Sequence, residues 1–188
     1  MLEALLKWDR ETFVYLNSLG LEEYDIFWST VTSITTWTPL FFIFILLFFL
    51  KYPRKDAFIK LTTVLSLVFF VIVITNLTKI GVARLRPNND VEINTLIRIL
   101  KSPTDYSFFS GHASSSFSIT TLMVLLLWKK AKWSLLFFIW PLLFCMSRIY
   151  VGVHFPLDII AGAVIGTLSG ILFYRIYRHF FKKHELLS

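Results

Sequence analysis

The sequence predicts an all-α integral-membrane helical bundle, with about five transmembrane helices and an N-terminal interfacial amphipathic helix. Three observations carry that prediction: an apolar fraction of 56% against 16% charged residues, five long apolar segments, and cations gathered in short clusters between them. A water-soluble domain carries about 25% charged residues, so this chain lacks the polar surface that water demands.

Residues 1–20 set Leu2, Leu5, Leu6, Trp8, Phe13, Leu16 and Leu19 among charges, the pattern of a helix lying in the membrane interface. Residues 1–25 are read as this helix and a linker, residues 26–180 as the bundle, and 1–188 as a single domain. With eight charges, residues 1–25 have no apolar core of the length a cleavable signal peptide needs. A spanning helix takes roughly 20 mostly apolar residues. The segments near 26–50, 58–80, 110–128, 133–150 and 155–176 meet this, some only with weakly polar ends. Pro39 is expected to bend the first span, and Pro141 lies in the fourth. Gly162, Gly166 and Gly170 should let the fifth span approach a neighbour closely. Cys145, the single cysteine, sits in an apolar run and reads as a small core residue.

A net charge of +7 raises nucleic acid as a partner, but clusters between apolar runs are topology signals, and no nucleic acid is expected. Lys51, Arg54, Lys55, Lys60, Lys129, Lys130, Lys132, Arg175, Arg178, Lys182 and Lys183 fall on one side with only Asp56 and Glu185. The positive-inside rule makes that side cytoplasmic, with the C-terminus inside. The N-terminal stretch, the 79–109 loop and the 148–155 turn then face outward.

Three polar islands lie on that outward side. In the first, Lys79, Arg84, Arg86 and Pro87, a continued helix would stack Lys79 and Arg86 two turns apart on one face. Such a pair repels unless an anion lies between them or lipid headgroups share the charge. The second is Ser107-Phe108-Phe109-Ser110-Gly111-His112. Ser110 suits an N-cap, Gly111 admits a ligand to the backbone, and free helix-start amides bind anions. Taken by itself, the triplet reads first as a plain capped helix start. The third is Ser147-Arg148 followed by His154-Phe155-Pro156-Leu157-Asp158. Pro156 suits a first helical turn, and His154 and Asp158 share a face four residues apart. Asp158 can then fix the tautomer of His154 and leave its other nitrogen free to attack; alternatively, the pair only stabilises a helix end. Cations, helix-start amides and two histidines on one membrane face suit a phosphate group. No metal and no cofactor is expected, since the motifs lack metal-ligand spacing and the cations would repel a divalent ion.

Lys79 with six residues to Arg86-Pro87, then Ser110-Gly111-His112, then Ser147-Arg148 with five residues to His154 and three more to Asp158, resembles the three-part signature of the type 2 phosphatidic acid phosphatases. These are related to glucose-6-phosphatase and the vanadium haloperoxidases. The resemblance implies that His154 attacks phosphorus to give a phosphohistidine, Asp158 orients it, and His112 protonates the leaving oxygen and later activates water. Lys79, Arg86, Ser110, Gly111 and Arg148 would bind the phosphoryl oxygens, with Arg84 as a supporting ion-pair residue. Phe109 stands where the family usually has Pro.

The expected activity is metal-independent hydrolysis of a phosphate or pyrophosphate monoester of a membrane lipid. By analogy with compact bacterial members, the first choice is undecaprenyl diphosphate at the outer face of the cytoplasmic (inner) membrane. Phosphatidylglycerophosphate, phosphatidic acid and lipid A 1-phosphate are the alternatives. A small anion-binding transporter is the rival from another class, and vanadate-dependent oxidation a second. The near-apolar inner halves of the second and fourth spans weigh against the first rival, and the short loops against the second.

Overall fold

The computed structural model describes residues 1–181, and every regular element among them is helical. Lys182, Lys183, Glu185 and the C-terminus, which entered the charge count, lie outside the described residues.

Leu2–Ser18 forms α1, which turns Leu2, Leu5, Leu6 and Leu16 outward. Asp9, Phe13 and Asn17, spaced to share one face, are buried. Phe13 meets the ring of Phe155 edge-on at 5.3 Å. The Asn17 amide donates to the Ile149 carbonyl at 2.9 Å, and its oxygen accepts the Arg98 N–H at 2.7 Å. The N-terminal helix is therefore docked on the bundle through a polar stripe, which an interfacial reading alone does not anticipate.

The first expected span is divided. Asp25–Val31 forms α2, a 3-10 turn covers Ile34–Trp37, and α3 runs Thr38–Lys51. Pro39 does not bend a continuous helix; it occupies the first turn of α3, where its missing N–H costs nothing. Local bonds close the break: Thr36 Oγ1 donates to the Thr30 carbonyl at 2.7 Å and Trp37 Nε1 to the Val31 carbonyl at 2.9 Å.

Next, α4 runs Arg54–Val82 and ends at Ala83, whose φ of 51° turns the chain while its N–H closes onto the Lys79 carbonyl at 2.9 Å. The helix does not continue to Arg86. The stacking of Lys79 and Arg86 along one helical face is thus corrected: Lys79 lies on the last turn and Arg86 on the loop beyond.

Gly111–Leu127 forms α5, Ile139–Tyr150 forms α6 after a 3-10 stretch over Lys132–Phe138, and Pro156–Phe181 forms α7. Among the described residues, four largely helical stretches are long and apolar enough to cross a membrane: Ile34–Lys51, Arg54–Asn89 (α4 with the turn beyond it), Lys132–Tyr150 and Pro156–Phe181. At 17 residues, or about 25 Å, α5 is shorter than the roughly 30 Å hydrocarbon core. Enclosed by α4, α6 and α7, it does not need lipid-facing apolar surface. Its buried serines bond their own helix, as Ser116 Oγ to the His112 carbonyl at 2.7 Å. The close contact is with α7: a Cβ at Gly162 would lie 2.7 Å from the Ser110 carbonyl, and one at Gly166 would overlap Ser114.

The apolar core joins α3, α4, α5 and α6 through Phe44, Phe48, Leu67, Leu122, Leu127, Trp140 and Phe144. One end of the bundle gathers Lys60, Lys129, Lys130 and Arg178 around Tyr52, Tyr174 and Tyr177. The polar islands meet at the opposite end.

Candidate active site

Pro87 disfavours helix at the residue before it, and Arg86 is accordingly extended, with φ −80° and ψ 157°. That conformation sends its guanidinium back under the bundle end. Nε donates to the Asp105 carbonyl at 2.8 Å, Nη2 to Asp105 Oδ1 at 2.9 Å, and Nη1 to the Val153 carbonyl at 3.0 Å. Asp105 also pairs with Lys79. The two cations expected to need an anion between them therefore have one. Burial raises the Asp105 carboxyl, but Lys79 and Arg86 more than offset it and leave its pKa below the ordinary 3.8.

Arg86 Nη1 lies 3.0 Å from His154 Nε2. A guanidinium only donates, so Nε2 accepts here and carries the lone pair. The ring proton then belongs on Nδ1, which faces Asp158 Oδ2 at 3.4 Å. Burial, then the charges of Arg86, Arg148 and Lys79, hold the His154 pKa well below the ordinary 6.5. The sign follows directly. Between that depressed value and 6.5 the folded imidazole stays neutral while the unfolded one takes a proton, so stability falls as pH drops through 6.5 while the folded ring keeps its lone pair. We expect kcat/KM to show no acid limb centred near 6.5. A pH–rate profile falling with that midpoint would contradict the environment described for His154.

Asp158 is fully buried. Its Oδ2 accepts the Phe155 N–H at 3.0 Å, and its Oδ1 accepts from Arg84 Nη1 at 2.7 Å. The other arm of Arg84 donates to Asp9 Oδ2 at 2.6 Å. Sequence reasoning missed Asp9; its only signal was a carboxylate in register with Phe13 and Asn17.

At the start of α5, Ser110 caps the helix, its Oγ accepting the Ala113 N–H at 3.3 Å, and its own N–H donates to the Asp158 carbonyl at 3.0 Å. The amides of Gly111 and His112 open the helix without an acceptor among the described residues. Phe109, at the family's usual Pro position, is buried. The His112 ring packs 4.6 Å from that of Phe144, and the charges of Arg148, His154, Arg86 and Lys79 all act on it.

Arg148, on the last turn of α6, is 6% exposed. Its Nη1 donates to Thr32 Oγ1, its Nε has no partner, and among the described residues no carboxylate pairs with it. Thr32, in the break of the first span, carried no sequence signal. Arg98 takes no part here; Asp25 holds it at 2.6 Å.

Beside Lys79 and Gly111 opens an apolar groove of about 450 Å³ between α3, α4 and α5. On α4 its lining runs from Lys79 to Leu61, about 27 Å of helix rise.

An all-α membrane bundle with imidazole, helix-start amides and cations at one end is suited to binding a phosphoryl group. It matches the crystal structure of a PAP2-type phosphatidylglycerolphosphate phosphatase from Bacillus subtilis, with TM-score 0.74 and 19% identity over 94% of this chain and 88% of that one. It also matches Aquifex aeolicus LpxE, with TM-score 0.68 and 28% identity over 88% and 93%. Residues 59–182 match the PAP2 superfamily, and the chain belongs to it.

Curated relatives include a lipid A 4'-phosphatase of Bacteroides thetaiotaomicron, 28% identical over 94% of this chain and 80% of the relative. An undecaprenyl-diphosphatase of Sulfolobus acidocaldarius is 41% identical over 68% of this chain and 58% of the relative. PAP2 members are phosphatases acting on lipid phosphate esters, and this chain is an integral-membrane enzyme of that class.

Proposed function

We propose that the chain hydrolyses a phosphate or pyrophosphate monoester of a membrane lipid without a metal, through a phosphohistidine on His154. The observation that carries this reading is Arg148: a buried guanidinium with no carboxylate partner among the described residues, beside an imidazole whose lone pair is presented on Nε2. A buried charge of that kind is costly unless a ligand completes it.

In the proposed reaction, phosphoryl oxygens replace the Asp105 carboxylate between Lys79 and Arg86 and take up Arg148 and the Gly111 amide. His154 Nε2 then attacks phosphorus, and the N–P bond forms as the P–O bond to the lipid breaks. As the substrate's negative charge gathers among those cations, His112 takes up a proton from solvent and gives it to the departing oxygen. It next takes a proton from water, and the resulting hydroxide attacks phosphorus to release orthophosphate and restore His154. Charge on the equatorial oxygens grows in both steps, where fixed cations act most strongly. Ser110 is engaged as the α5 cap, so its share in binding is positional as well as direct.

The groove supports a long apolar tail as the substrate's other end. Its depth of about 27 Å approaches the roughly 30 Å hydrocarbon core, more than the acyl chains of one leaflet reach. That favours undecaprenyl diphosphate over phosphatidylglycerophosphate, phosphatidic acid and lipid A phosphates, although one relative is a lipid A 4'-phosphatase. The charge bias supports a site on the outer face of the bacterial cytoplasmic membrane.

Phosphate release from a panel of these lipids, in detergent with EDTA, tests the reading. The expected result is undiminished release in EDTA and a kcat/KM preference of about tenfold or more for the polyprenyl diphosphate, which is the scale of 1.4 kcal/mol. Loss of all activity in EDTA would remove metal independence, and a diacyl preference would reassign the substrate.

A further inference from the structure

We infer that Asp9, on the N-terminal helix, and Arg84 are positioning residues that act on His154 through Asp158, so that docking of α1 sets the activity of the nucleophile. This rests on the assignment of His154 as the nucleophile.

The geometry is a chain of four groups. Asp9 is fully buried; its Oδ1 accepts the Leu157 N–H at 2.8 Å, capping the first turn of α7 from outside, and its Oδ2 takes one arm of Arg84 at 2.6 Å. The other arm holds Asp158 Oδ1 at 2.7 Å, and Asp158 Oδ2 faces His154 Nδ1. The Arg84 guanidinium lies 4.1 Å over the Phe155 ring, which fixes its plane, and Phe155 in turn packs on Phe13 of α1. Every link runs back to the same helical stripe.

Charge explains why two carboxylates share one guanidinium. Alone, Arg84 would neutralise Asp158 and leave His154 with Arg86 at 3.0 Å from Nε2 and Arg148 and Lys79 acting on it, offset only by Asp105, which the substrate is proposed to displace. Attack on phosphorus places positive charge on the imidazole, which those cations oppose. With Asp9 the trio carries a net negative charge beside Nδ1, and that charge stabilises the ring as the N–P bond forms.

The test compares Asp9→Asn, Arg84→Gln and the double variant with wild type and His154→Ala, measuring lipid-phosphate release over a range of substrate concentrations. In Asp9→Asn, kcat should fall about tenfold to a hundredfold, as for other outer partners of a working histidine, with KM changed less than about twofold. The double variant restores Asp158 as the only charge of the trio. It should therefore retain more activity than the product of the two single losses. A kcat for Asp9→Asn within twofold of wild type, losses that multiply, or a change confined to KM would each overturn the relay. Should a single variant not fold, the double variant decides, since in it Asp158 still accepts the Phe155 N–H and faces His154. About a tenth of wild-type kcat or more is expected, and anything lower overturns the inference. Activity persisting in His154→Ala would instead remove the nucleophile assignment on which the relay rests.

Discussion

His154→Ala should lower lipid-phosphate release by about four orders of magnitude or more, the scale seen when a nucleophile is removed from a covalent mechanism. The expectation follows from geometry. Nε2 carries the lone pair because Arg86 donates to it, and Nδ1 faces a carboxylate that is itself pinned by Arg84 and the Phe155 N–H. No solvent molecule substitutes easily, because the ring is 1% exposed. A companion measurement identifies the intermediate. Wild-type protein stopped early in turnover should hold phosphate in an acid-labile, base-stable linkage, as a phosphoramidate does, and His154→Ala should hold none. Release by His154→Ala at the wild-type rate would exclude this residue as the nucleophile, and a linkage stable in acid would point to an oxygen nucleophile. His112→Ala should still be phosphorylated, only slowly, because its proposed role is proton transfer, worth about 10²–10⁴-fold.

Most of the fold was legible because membrane helices obey a coarse rule: every backbone polar group must be satisfied inside the segment, so a long apolar run has few alternatives. Hence α4 and α7 lie close to where the apolar runs put them. Two misreadings share one cause, local backbone chemistry overriding hydropathy. Pro39 starts α3 where composition suggested a bend within one span, and Ala83 stops α4 before Arg86 although the charge pattern continued in helical register.

The site was legible to the extent that its residues come in short motifs. Arg86, His154 and Asp158 form one bonded group, with Ser110 tied to the same Asp158 by its N–H. What stayed hidden are the contacts made across long sequence separation: Thr32 to Arg148, Asp105 between Lys79 and Arg86, and Asp9 to Arg84. Each is a single residue in an unremarkable stretch. Its meaning depends on which loop folds back over the bundle end, and periodicity carries no information about that.

Arg148→Met separates function from stability more sharply than any other change in the site. Removing one donor aimed at developing charge costs about 10²–10³-fold in rate, or about 2.7–4 kcal/mol. Arg148 is further isolated, because its Nε finds no partner and no carboxylate among the described residues balances it. Replacing a buried charge by an apolar side chain of similar volume is often neutral or stabilising by about 1–4 kcal/mol. Against this, the Thr32 hydroxyl loses its donor, a cost of about 1 kcal/mol. The variant should therefore unfold in detergent at a temperature no lower than wild type while losing most of its activity. Added inorganic phosphate should raise the wild-type midpoint more than the variant's, because only the former keeps the full set of cations. A variant that unfolds several degrees earlier yet turns over normally would make Arg148 a structural anchor for the break at Thr32. The phosphate would then have to be held by Lys79, Arg86 and the Gly111 amide alone, two cations already shared with Asp105 in the free protein.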